Sequence, residues 1–158
     1  MTRIIREVEA SSADAMLLIR ALDADLEARY PGAVIHSIEP ETFADFGGIF
    51  VVAYADNQPV ACGALRPAGD GHYEIKRMFV LATARRHGHA RAILTALEEK
   101  ARQLDAPLLL LETGDAQPEA ISLYESAGYR AVPCFGAYTG SPHSRCFEKR
   151  LHFIDRVR

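Results

Sequence analysis

The sequence predicts a mixed α/β fold, with a mostly antiparallel sheet and helices on both faces. Three observations predict it. Strand-like and helix-like runs alternate in the order β-α-βββ-α-β-α-ββ, so an antiparallel meander feeds strand–helix–strand units. Leu108, Leu109, Leu110 and Leu111 form an unbroken apolar run, the pattern of a strand covered on both sides. Between a strand-like run at 73–80 and a helix-like run at 91–104 lies Arg85-Arg86-His87-Gly88-His89-Ala90, a glycine turn that opens a helix.

The elements follow in order. Residues 2–7 are short and β-branched, as in a strand. Ser11-Ser12-Ala13-Asp14 offers capping hydroxyls and an acidic first turn, and Ala15, Leu18, Ile19, Leu22 and Leu26 then keep helical spacing until Tyr30-Pro31-Gly32. The stretch on to Glu41 has weak structure and is expected as a loop over a ligand site. Residues 49–54 and 60–66 read as two strands of a hairpin about the turn Asp56-Asn57-Gln58-Pro59. Gly69-Asp70-Gly71 turns the chain into the strand at 73–80. Ile93, Leu94, Leu97, Ala101 and Leu104 form one helical stripe. Pro107 starts the leucine strand, which ends at Thr113-Gly114. Residues 118–126 read as a short helix with proline in its first turn and Gly128 as its C-terminal cap. Residues 129–132 are strand-like, 134–142 are a Gly- and Pro-containing loop, and 144–153 alternate well enough for a last strand.

At 158 residues the chain fits a single domain, 1–158, able to bury a core. It is 49% hydrophobic and 25% charged, with a net charge of −3. Such a balance excludes disorder and offers no global positive field for nucleic acid or an anionic membrane. No apolar run is long enough to span a bilayer, and the first residues lack the charged-then-apolar pattern expected of a secretion signal. Cys62, Cys134 and Cys146 are odd in number and widely spaced, which predicts thiols and a reducing cytoplasm. His87 and His89 alternate on the turn, but no further ligand completes a metal site, so no metal is expected.

The basic residues cluster at Lys76, Arg77, Arg85, Arg86 and Arg91, which suits a small anionic ligand. A helix start presents unpaired N–H groups and partial positive charge, and a small residue lets an anion approach them. The turn is therefore either a phosphate cradle or an ordinary strand-to-helix turn that happens to hold a glycine and arginines.

Arg85, Gly88 and Ala90 occupy the three fixed positions of the pyrophosphate motif of the GCN5-related N-acetyltransferases (GNAT). Glu74-Ile75-Lys76-Arg77-Met78-Phe79-Val80 resembles the strand just before that motif. Ala120-Ile121-Ser122-Leu123-Tyr124-Glu125-Ser126-Ala127-Gly128-Tyr129 resembles the family's late helix and the turn after it. The resemblance covers about 49–151 well and the first helix loosely. It departs at Gln117, where family members often carry Asn.

The resemblance implies a GNAT-like sheet splayed between two central parallel strands, acetyl-CoA as donor, a small-molecule amine as acceptor, and a homodimer. It implies cofactor binding by Met78, Phe79 and Val80 along the strand, by Arg85, Arg86, His87, Gly88, His89 and Ala90 at the turn, and by Gln117. Acetyl transfer to an amine needs a base for the ammonium, a donor for the oxyanion and an acid for the thiolate. Glu74 is the candidate base, the Val80 N–H the candidate oxyanion donor and Tyr124 the candidate acid. By simple alternation Glu74 shares a strand face with Lys76, Met78 and Val80. The structural alternatives are a Glu74 paired with Lys76 or an arginine, and a Tyr124 whose ring belongs to the core. Arg66, Arg77, Tyr138 and Arg145 are candidates for the acceptor pocket, with Phe135-Gly136-Ala137-Tyr138 as an aromatic loop able to close over it. Two other functions fit the residues: a protein or peptide acetyltransferase, and a non-catalytic acyl-CoA-binding domain.

Overall fold

The computed structural model describes residues 1–151. The expected class holds: a mixed α/β fold with a seven-stranded, mostly antiparallel sheet and helices, in the expected element order. Residues 152 and 153 of the expected last strand lie outside the described residues. The described residues form two compact units, Met1–Arg66 with Ile75–Leu97, and Pro67–Glu74 with residues 98–151.

In the first unit, β1 (Arg3–Val8) pairs antiparallel with β2 (Ile49–Ala55), and β2 pairs antiparallel with β3 (Gln58–Pro67). The β2–β3 turn is tighter than the sequence suggests. Asp56 and Asn57 both take left-handed backbone (φ 49° and 68°), giving a two-residue connection. Short polar side chains tolerate that conformation, and such a turn matches the twist of its strands. Gln58 and Pro59 therefore join β3 instead of the turn. The register shifts between Ala53 and Tyr54, which faces Pro59, and there a residue lacking an N–H is tolerated.

Helix α1 (Ala13–Arg29) begins where expected. The Ser12 side chain accepts from the Ala15 N–H at 3.3 Å, and Tyr30 closes the last turn with its N–H on Leu26 O at 2.8 Å. Its buried stripe is Ala15, Leu18, Ile19 and Leu22, and the first three pack with Phe50 and Val52 of β2 and Cys62 and Ala64 of β3 in one hydrophobic cluster. The Tyr54 hydroxyl donates to Asp14 at 2.6 Å; burial, then that bond, pushes the phenol up to about 12. Burial likewise pushes the Cys62 thiol up to about 12, so it behaves as a small apolar group. A Cβ at Gly63 would lie 2.6 to 2.9 Å from Ile93, Met78 and Leu97, so only glycine there lets helix α2 (His89–Gln103) approach β3 so closely.

In the second unit the order is β5-β7-β6, for β5 (Leu108–Gly114), β6 (Arg130–Val132) and β7 (Ser144–Arg150). The last strand inserts between the two before it, antiparallel to both. Along β5, residues 109, 111 and 113 are buried and their neighbours half-buried, so both faces are covered, one more completely. Helix α3 (Pro118–Ser126) starts with proline and ends in a paired cap. Gly128 (φ 92°) donates to Glu125 O and Tyr129 donates to Tyr124 O, which satisfies carbonyls left over at the helix end. The Glu98 carboxylate, also buried, accepts from the Tyr129 hydroxyl at 2.8 Å and from Lys149 Nζ at 3.1 Å.

The cysteine expectation is corrected. Cys134 and Cys146 form a disulfide, which ties the loop after β6 to β7; Cys62 alone is a free thiol among the described residues. Spacing in sequence did not reveal the pair because Val132 and Cys146 are cross-strand neighbours, a proximity that only the β6–β7 register creates. The odd-cysteine argument for a reducing compartment thereby loses its premise. Replacing both cysteines by serine is expected to lower stability by about 3 kcal/mol, the unfolded-state entropy of a loop of about a dozen residues. Urea denaturation under non-reducing conditions measures it. No helix among the described residues is long and apolar enough to cross a membrane.

Candidate active site

The candidate phosphate-cradle turn, residues 85–90, lies wholly in the first unit. Strand β4 (Tyr73–Val80) leads through a 3-10 turn (Ala82–Ala84) into the hexapeptide, and α2 begins at His89. Arg86 (φ 69°) and Gly88 (φ 78°) are both left-handed, which folds the chain sharply around His87. For Arg86 that conformation costs about 1–2 kcal/mol, a strain that surrounding structure must sustain. Residues 85–88, which lead into the 15-residue helix, are exposed, while His89, its first residue, is buried; a helix start carries N–H groups with no partner inside the helix. The local geometry thus fits an anion.

A residue that sequence reasoning missed braces this turn. Arg3, at the start of β1, donates through Nη1 to the His87 carbonyl at 3.2 Å and lies 3.3 Å from His89 Nδ1. Arginine can only donate, so Nδ1 accepts and the His89 ring is neutral in this arrangement. Burial, aided by the charges of Arg3 and His87, lowers the His89 pKa in the same sense. A separation of 84 residues leaves no local signal for this contact.

Arg85 points back along the chain. Its Nε donates to Val80 O at 3.2 Å and its guanidinium lies 5.9 Å from the Phe79 ring centroid. Arg86 and His87 are exposed, and Ala90 is half-buried.

The simple alternation expected along β4 does not hold. Glu74, Ile75, Lys76 and Arg77 are all buried, and Arg77 is left-handed (φ 56°), which interrupts the in-and-out pattern before Met78, Phe79 and Val80. The Arg77 guanidinium donates to Ile19 O and pairs with Asp23, both on α1. Its position is inside the first unit, braced against a helix. Lys76 Nζ donates to His36 O at 2.9 Å. Arg66 is half-buried near the end of β3.

The second unit brings together two candidates assigned to different tasks. The Tyr138 hydroxyl donates to Glu74 Oε2 at 2.6 Å, and both residues are only 3% exposed. Tyr138 ends a 3-10 turn (Gly136–Tyr138) in the disulfide-tied loop, with its ring edge-on to Phe135 at 5.4 Å. Tyr124, on α3, is buried between the rings of Tyr129 (5.8 Å) and Phe147 (6.5 Å). Burial, with the charge of Glu112 adding to it, raises the Tyr124 pKa well above that of a free phenol, so the hydroxyl keeps its proton. Gln117 turns inward: its Oε1 accepts from the Gly114 N–H at 3.2 Å, bracing the β5–α3 connection. Arg145 lies on β7 with its side chain half exposed, near Asp115 at 3.9 Å. Among the described residues no group of three or more His, Cys, Asp or Glu is placed to hold a metal ion.

A fold of this element order, with a glycine turn opening α2, is that of an acyltransferase class, as comparison with known proteins shows. Residues 17–129 match the acetyltransferase (GNAT) family model, and the chain belongs to that family. It is 38% identical, over 85% of its length and 88% of the relative's, to IAA acetyltransferase of Azospirillum brasilense. It is 32% identical to the uncharacterized N-acetyltransferase YsnE of Bacillus subtilis, over 77% of this chain and 82% of that one. A solved Klebsiella pneumoniae structure described as an acyl-CoA N-acyltransferase shares 32% identity and a TM-score of 0.81, covering 96% of this chain and 99% of that one.

Proposed function

We propose that the chain is a single acetyltransferase domain that moves the acetyl group of acetyl-CoA to the primary amine of a small molecule by direct attack. The observation that carries this reading is the exposed, left-handed turn at Gly88 opening α2, which suits the diphosphate of coenzyme A in a chain of this family. Glu74, directly or through a water, takes the proton that the attacking ammonium must lose. The freed amine attacks the thioester carbonyl, the Val80 N–H donates to the oxyanion, and the C–S bond breaks as the nitrogen releases its second proton to solvent, leaving an amide and the CoA thiolate.

Tyr124 serves the leaving sulfur. A phenol with a raised pKa holds its proton more tightly than a thiol does, so its contribution is a hydrogen bond to the growing thiolate, with the proton finally drawn from solvent. Met78, Phe79 and Val80 supply backbone along the pantetheine arm, and Arg86 and His87 border the diphosphate. Arg66 and Arg145 are the candidates for the acceptor side that lie nearer solvent, and each suits an anionic group on the acceptor.

Thiol release from acetyl-CoA across a panel of amines tests this reading. The panel includes small primary amines with and without an anionic group, and a lysine peptide. We expect release with a small amine, and Tyr124→Phe lowering kcat by about 10- to 100-fold with an unchanged KM for acetyl-CoA. Release with the peptide alone would favour a protein acceptor. Binding of acetyl-CoA without release to any acceptor would favour a non-catalytic domain. The homodimer implied by the family resemblance is read by analytical ultracentrifugation.

A further inference from the structure

We propose that Tyr138 is a positioning residue that fixes the Glu74 carboxylate for proton abstraction. The proposal rests on the reading of Glu74 as the base. A carboxylate taken out of water needs hydrogen-bond donors, and Tyr138 provides one deep in the second unit. At 2.6 Å the contact has the length of a bond from a hydroxyl to an ionised oxygen, which is stronger and more directional than a neutral one. It engages Oε2 and so restrains rotation of the carboxylate about its Cγ–Cδ bond. A base whose lone pair is aimed in advance spends nothing on finding its orientation when the ammonium arrives.

Tyr138 is itself held from several sides. Its N–H donates to Phe135 O at 3.0 Å, and its carbonyl accepts from the Ser141 N–H at 3.1 Å. Phe135 packs edge-on against its ring. The loop is anchored before the turn by the Cys134–Cys146 bond and after it by the Asp115 N–H on His143 O at 2.9 Å. A loop pinned at both ends gives the hydroxyl a fixed address. This differs from the acceptor-pocket role that sequence alone suggests for Tyr138, because its polar atom is turned onto Glu74 in the buried interior.

The test is Tyr138→Phe, which keeps the ring and its packing and removes only the hydroxyl. Expected is a fall in kcat of about tenfold, with both KM values within about twofold and the melting temperature nearly unchanged. In a Glu74→Gln background the same change is expected to have less than about a twofold effect, because there is no base left to aim. Unchanged kcat in Tyr138→Phe overturns the proposal. So does a raised KM for the amine at full kcat, which would make Tyr138 a substrate contact, and so does a full tenfold loss in the Glu74→Gln background. The two readings separate cleanly. If Glu74→Gln abolishes turnover while Tyr138→Phe is silent, only the positioning role fails; if Glu74→Gln is fully active, the base assignment fails and the positioning role with it.

Discussion

Glu74→Gln is expected to lower kcat by about 10²- to 10⁴-fold while leaving acetyl-CoA affinity within about twofold. Gln has nearly the same shape as Glu and keeps a carbonyl oxygen that can accept from the Tyr138 hydroxyl, so the buried contact survives the substitution. What it cannot do is take up a proton near neutral pH. The ammonium form of the acceptor then persists, and only the small fraction of free amine reacts. The loss should therefore shrink as the assay pH approaches the amine's own pKa, where solvent removes the proton without help. Steady-state kinetics at several pH values, with calorimetry for the donor, separates this outcome from a folding defect. A Glu74→Gln enzyme as fast as the parent at neutral pH would remove Glu74 from the chemistry.

Gly88→Glu is expected to weaken acetyl-CoA binding by about 30-fold or more, equivalent to about 2 kcal/mol. Two effects combine. Gly88 sits at φ 78°, a conformation that any side chain resists by about 1–2 kcal/mol, so the turn would relax away from the shape that presents its amides. The new carboxylate would also compete with phosphate for the positive end of α2 and for the guanidinium of Arg3, whose Nη1 lies 3.8 Å from where a Cβ at 88 would stand. At that distance the Cβ itself meets only ordinary contact, so crowding is not the cause. Gly88→Ala isolates the backbone term and should cost less. Calorimetric titration with acetyl-CoA distinguishes the two variants, and equal affinity in both and in the parent would place the diphosphate elsewhere.

Much of the architecture was legible because it follows from local periodicity and caps. Ser12, Pro118 and Gly128 mark helix ends by their own chemistry, and the spacing of Ala15, Leu18, Ile19 and Leu22 declares which face of α1 is buried. The glycine turn that opens α2 was legible for the same reason, since a turn and the helix after it are neighbours in sequence. Element limits were less so. Pro59 was expected in a turn and sits in β3, because Asp56 and Asn57 suffice to reverse the chain. The face shared by Glu74, Lys76 and Met78 was inferred from an alternation that the left-handed Arg77 breaks, and no pattern in the residues announces that interruption.

The sequence by itself determined the class of fold, the order of its elements and the family, all of which rest on patterns among residues close together in the chain. Only the tertiary structure decided the partners: Tyr138 on Glu74 across 64 residues, Arg3 on the turn at His87, Arg77 on α1, and Cys134 on Cys146. The physical reason is that hydrogen bonds and disulfides depend on distances of a few ångströms between side chains. Those distances are set by strand register and loop closure, which no local pattern of polarity encodes.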